Sequence, residues 1–69
     1  MRYVLVQRDS WPMGEPKCLL HREGCRDIPR ETGDLWLDTF EADTADAAVA
    51  LAIAGAFAFD GDVRVMPCA

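Results

Sequence analysis

Asp43-Thr44-Ala45-Asp46-Ala47-Ala48-Val49-Ala50-Leu51-Ala52-Ile53-Ala54-Gly55-Ala56-Phe57-Ala58 decides the fold of this 69-residue chain, because it holds the one helix that the sequence supports. Thr44 or Asp43 can accept hydrogen bonds from the free amides of a first turn, and Asp46 sits well at the positive end of the helix dipole. Ala45 to Ala58 are strong helix formers, with Gly55 the one weak position. At 100° per residue, Val49, Ala52, Ile53, Ala56 and Phe57 share a face that would cover a sheet. Ala47, Leu51, Ala54 and Ala58 fall on the opposite, unusually apolar face. The apolar run from Ala47 to Phe59 is short of the roughly 20 residues that span a bilayer, and acids flank it, so it reads as a core helix.

Outward from the helix, the remaining segments read as strands. Arg2-Tyr-Val-Leu-Val-Gln7 carries apolar or aromatic residues on both alternating faces, as a central strand buried on both sides does. Asp9 to Pro16 is a loop punctuated by two prolines and a glycine. Lys17 to Arg22 is a second strand, Glu23-Gly24 a turn, and Arg26 to Gly33 an irregular stretch broken by Pro29. Asp34 to Phe40 is a third strand. Asp60-Gly61 is a turn, and Asp62 to Pro67 is a last strand ending in Cys68-Ala69. The expectation is one α+β domain over residues 1–69, in the order β-β-β-α-β. It has a small, mostly antiparallel sheet with an Ala-rich helix on one face. Hairpin-like returns would make strands one and three parallel, and a crossover through the helix would bring strand four parallel to strand one or three. One helix covers one sheet face. The other, holding Trp36 and either Val4/Val6 or Tyr3/Leu5, would be covered by the Trp11 loop or by a second copy, and a homodimer is expected.

Composition narrows the function class. Twelve acids against seven Lys and Arg give a formal charge of −5, which argues against non-specific binding to nucleic acid or an anionic membrane. From Thr32 onward there are Asp34, Asp38, Glu41, Asp43, Asp46, Asp60 and Asp62 but a single base, Arg64. That half presents a negative surface, which keeps the chain soluble or suits a basic partner. An odd cysteine count, with no secretory leader pattern, points to a reducing cytoplasm rather than a disulfide scaffold. Six Arg to one Lys, ten Ala and no Asn are typical of a GC-rich genome, such as an actinobacterium or one of its phages.

The chemistry-bearing cluster is Cys18-Leu19-Leu20-His21-Arg22-Glu23-Gly24-Cys25, with Cys68 far along the chain. A chain this short leans on a metal, a disulfide or a partner subunit, because its core is small. Structural zinc takes four tetrahedral thiolate or imidazole ligands, and short spacings deliver two from one turn. Cys18-x2-His21 and His21-x3-Cys25 both suit such a knuckle, and the last strand could return Cys68 as the fourth ligand. The alternative is that the three cysteines are small buried hydrophobes and His21 a surface strand residue. A Cys–His nucleophile would need His21 against Cys25, with Asp27 to orient it, and an oxyanion hole of which there is no trace; no enzyme is expected. Arg22, Arg26 and Arg30 would form a basic stripe only on a helix, which Gly24 and Pro29 oppose.

From His21 onward the chain resembles the metal-binding N-terminal module of the bacterial DNA-methylation repair protein Ada and its small relatives. The likeness rests on His21-Arg-Glu-Gly-Cys25-Arg26, the strand Leu35–Phe40, the Ala-rich helix and Pro67-Cys68-Ala69. It implies that His21, Cys25 and Cys68 are zinc ligands. The last cysteine of that family has no counterpart up to Ala69, so the fourth ligand would be Cys18 or the C-terminal carboxylate. The family's first ligand is often a methyl-accepting cysteine. Here it is His21, so methyl transfer is not implied.

The functional expectation is a small non-enzymatic module that binds a cellular protein, as a phage or actinobacterial accessory protein would. It carries either no cofactor or one zinc ion. Its interface would lie on Trp11, Asp34, Trp36, Asp38 and Leu51. The competing expectation is an Ada-like zinc-stabilised module of nucleic-acid handling.

Overall fold

The computed structural model describes residues 1–8, 10–26, 28 and 37–69. β1 (Arg2–Gln7), β2 (Cys18–Arg22), β3 (Leu37–Glu41), α1 (Ala45–Ala54) and β4 (Val63–Val65) follow in that order. The sheet runs β3-β1-β2-β4, so β1 is interior. Tyr3, Val4, Leu5 and Val6 are accordingly all buried, as the unbroken apolar run requires of a strand covered on both faces. The fold is α+β with a mostly antiparallel sheet: β1 is antiparallel to both β2 and β3, and β2 is parallel to β4.

The topology corrects one expectation. β1 and β3 are antiparallel neighbours, not parallel strands. Only the first return is a reversal onto the adjacent strand. Residues 23–36 are too long a connection for a tight hairpin, and β3 joins the far side of β1, pointing the same way as β2. β4 then points the same way as β3, as a helical crossover demands, but pairs with β2 at the opposite edge. The expected residues Asp34–Trp36 of the third strand lie outside the described residues, as do Pro29 and Arg30.

One face of the sheet carries Tyr3, Leu5, Cys18 and Leu20 against Ala48 and Ala52 of α1, with Phe40, Val49, Phe57 and Val63 at the margin. Alanines face the sheet because the strands supply the bulk; small residues let the helix axis come close to Tyr3 and Leu5. This sets the buried stripe at Ala45, Ala48, Val49 and Ala52 rather than one centred on Ile53. The other face carries Val4, Val6, Leu19 and His21, all buried within a single chain. A second copy is therefore not needed to cover it. Each of Leu5, Leu19 and Leu20 contributes about 1.5–3 kcal/mol by leaving water.

The helix ends are set by identifiable contacts. Thr44, in an extended conformation, accepts the Ala47 amide on Oγ1 at 3.1 Å and caps the first turn. The helix stops at Ala54, four residues before the expected end. The Ala56 amide donates to the Ile53 carbonyl and the Phe57 amide to the Ala52 carbonyl, the paired bonds of a Schellman close. That motif puts its left-handed residue at Ala56 (φ 62°), and the glycine sits one position earlier. Gly55 is needed for a different reason: a Cβ there would lie 2.7 Å from the Phe57 ring. That ring packs edge-on to Phe40 at 5.5 Å, while the Phe57 carbonyl accepts from Gln7 Nε2 at 2.9 Å. The early stop also turns Ala58 inward, so it is buried instead of lying on the outer helix face.

Candidate metal centre

β2 and β4 are parallel and in register, Cys18 beside Val63 and Leu20 beside Val65, so their C-terminal ends leave the sheet at the same edge. Two contacts hold that register: the Cys18 amide donates to the Asp62 carbonyl (3.1 Å), and the Lys17 amide to Asp62 Oδ1 (2.9 Å). The Met66 amide continues the pairing onto the Leu20 carbonyl at 2.9 Å. Beyond β4 the chain turns, with the Ala69 amide donating to the Met66 carbonyl, and presents Cys68 past the end of β2.

At that end β2 enters a tight turn. The Cys25 amide donates to the Arg22 carbonyl at 3.0 Å, and Gly24 at the third position has φ +88°. Glu23 before it has negative φ, since Ala56 alone among described non-glycine residues is positive. The turn is therefore type II, which asks for glycine at that position. It folds Cys25 back toward His21, the last residue of β2 on the second face.

Three donors converge here. One ligand atom each from His21, Cys25 and Cys68 lies within 4.8 Å of the others, and His21 Nδ1 is 3.4 Å from Cys68 Sγ. His21 is fully buried, while the two cysteines are half-buried. A tetrahedral zinc ion with bonds of 2.0–2.3 Å holds its ligand atoms roughly 3.3–3.8 Å apart, so side-chain rotations of the order of an ångström would seat one. Two thiolates and an imidazole form the soft donor set that zinc favours. The chemistry and the geometry both fit.

Cys18 is not part of this group, in contrast to its expected place as a ligand. Along a strand, positions i and i+3 point to opposite faces. Cys18 therefore packs among Leu20, Ala48 and Ala52 under the helix, while His21 occupies the other face. Burial, and then the charge of Asp62, push its thiol up, with Lys17 and Arg8 pulling more weakly the other way. It behaves as a small apolar side chain and stays protonated near neutral pH. The Cys68 thiol is also raised, by burial first and then by its hydrogen bond with Cys25, while a backbone hydrogen bond at Arg22 lowers it.

The expected interface residues do not form one patch. Trp11 is 42 % exposed, with Lys17 Nζ 5.5 Å above its ring. Asp38 is half-buried on the helix face beside Leu5. Asp34 and Trp36 lie outside the described residues. Leu51, 46 % exposed, lines an open groove of about 570 Å³ with Ala47, Ala50 and Ala54, and Glu41 and Asp43 stand at its end. Asp62, expected only as the first residue of the last strand, clamps β4 to β2 through the amides of Lys17 and Cys18. An acid placed just before a strand was the available signal. No helix among the described residues is long and apolar enough to cross a membrane. Comparison with protein families, with curated proteins and with solved structures finds no match.

Proposed function

We propose that this protein is a small non-catalytic binding module, stapled by one zinc ion on His21, Cys25 and Cys68, that meets a protein partner through the outer face of α1. The observation that carries the reading is the convergence of the three donors across 47 residues of sequence, from His21 to Cys68. Such an ion would tie the segment after β4 to the turn after β2, the part of the fold where β4 spans just three residues. Metal binding of this kind contributes directly to folding in a domain with a small core. Thiolate ligation suits a reducing cytoplasm.

The partner surface follows from the helix. Ala47, Ala50, Leu51 and Ala54 leave an apolar stripe in water, and Glu41 and Asp43 put acids beside it. A basic protein segment with one or two aliphatic anchors complements that pattern. Leu51 is the one bulky side chain of that stripe, so its truncation should cost most.

Two measurements test the two halves. Cobalt added to the reduced chain should give the intense visible bands of a tetrahedral thiolate site at one ion per chain, lost in Cys25→Ser. Leu51→Asp should leave that spectrum intact while lowering affinity for a Lys/Arg-rich amphipathic peptide at least about tenfold, a hot-spot-sized effect. Concentration-dependent self-association through the same stripe would make the occupant a second copy. The Ada-like reading in nucleic-acid handling draws on the His21-x3-Cys25-Arg26 and Pro67-Cys68 pattern. It requires DNA binding with a steep salt dependence, which the acidic balance opposes.

A further inference from the structure

Two of the three converging donors are thiols, and this gives the group a second chemistry. Sγ of Cys25 and Sγ of Cys68 lie within 4.8 Å of each other. Neither cysteine belongs to a strand: Cys25 closes the turn after β2, and Cys68 lies in the turn after β4. Their side chains can rotate without breaking the sheet ladder. A disulfide needs an S–S separation of about 2.05 Å with Cβ atoms about 3.5–4.5 Å apart, so closure takes rotation of both Sγ atoms together with a small backbone adjustment in the two turns. Both are half-buried, so a small oxidant can reach them, whereas Cys18 is buried on the opposite face of the sheet.

We infer that Cys25 and Cys68 form a peroxide-sensitive dithiol, whose oxidation to a disulfide releases the metal ion and replaces it as the link between the ends of β2 and β4. The inference rests on the metal site proposed above. In the first step one thiolate attacks a peroxide oxygen, the O–O bond breaks, and a sulfenic acid and hydroxide form. In the second, the other thiolate attacks that sulfur and displaces a second hydroxide. Two protons from solvent convert both hydroxides to water. The sulfurs together lose two electrons and one peroxide gains them. Once both thiolates are joined, His21 is the single donor left to the ion, too few to retain it. The covalent bond then spans the same two turns, so the segment after β4 stays tethered.

The test uses the whole reduced chain. Zinc uptake is first measured against a chromophoric chelator, and hydrogen peroxide is then added while zinc release, intact mass and circular dichroism are followed. The expected result is one zinc released per chain and a loss of two hydrogen atoms in mass. Proteolytic fragments should be joined between Cys25 and Cys68, helix content should be retained, and dithiothreitol should restore zinc uptake. Cys18→Ala should behave identically. Oxygen atoms added at Cys25 or Cys68 (those at the exposed Met1 and Met13 being methionine sulfoxide), disulfides between chains, a bridge involving Cys18, or zinc lost with no disulfide formed would each overturn the inference. If the reduced chain takes up no zinc, the metal reading fails by itself. A Cys25–Cys68 bridge formed in that case still establishes the dithiol and removes the displacement of metal.

Discussion

Cys18 and His21 stand three residues apart on the same strand, yet they belong to different regions with different chemistry. The face that holds Cys18 is filled by Tyr3, Leu5, Leu20, Ala48 and Ala52, and a thiol there is one more apolar contact. The face that holds His21 buries Val4, Val6 and Leu19, but at the sheet's end it meets two further cysteines brought in by a turn and by a parallel neighbour. Alternation along a strand is what separates packing sulfur from ligand sulfur. A cysteine in this protein is given its role by the face it is on, not by its distance in sequence from a histidine.

The sharpest way to break that comparison is to substitute cysteines on each side. Cys25→Ser or Cys68→Ser should abolish tight zinc binding, and with it all zinc-dependent stability. That stability is about 2.7 kcal/mol when free zinc is a hundred times Kd. Cys18→Ala should retain full zinc affinity and lose about 1 kcal/mol of packing. Chelator competition and melting with and without zinc read both; equal zinc loss in all three variants would erase the distinction between the faces. A second substitution probes the helix face alone. Leu20→Ala should cost about 2–5 kcal/mol in denaturant unfolding with the metal-to-chain ratio unchanged.

The smallest effects sharpen the helix end that closes the apolar face. Gly55→Ala drives a methyl into the Phe57 ring, which Phe40 holds in place, and should cost about 1–3 kcal/mol. Ala56→Gly relieves a left-handed alanine and should stabilise by about 1 kcal/mol, seen as a higher melting temperature. Effects of the same sign at these adjacent positions would contradict the assignment of the Schellman close to Ala56.

Much of the fold was legible because it rests on local signals. The run Arg2–Gln7 marks a strand buried on both faces, and Thr44 marks the helix start, since both depend on neighbouring residues alone. The helix end was not legible, because Ala56 is a good helix former and the glycine needed for Phe57 precedes the left-handed position. The direction of β3 against β1 was missed because the long connection after β2 does not return as a hairpin but lands on the far side of β1. In the site, His21, Cys25 and Cys68 came from spacing and from the Ada-like pattern. Cys18 was carried along by reading a turn spacing into residues that form a strand, where i and i+3 diverge. The convergence of Cys68 depends on β2 and β4 being parallel, which spacing does not encode.

Native mass spectrometry of the chain purified without chelator, alongside its Cys18→Ala and Cys68→Ser variants, tests the central claim most directly. The account expects one zinc ion on the unaltered chain and on Cys18→Ala, and none on Cys68→Ser. A metal-free unaltered chain, or zinc lost from Cys18→Ala and kept by Cys68→Ser, would contradict it.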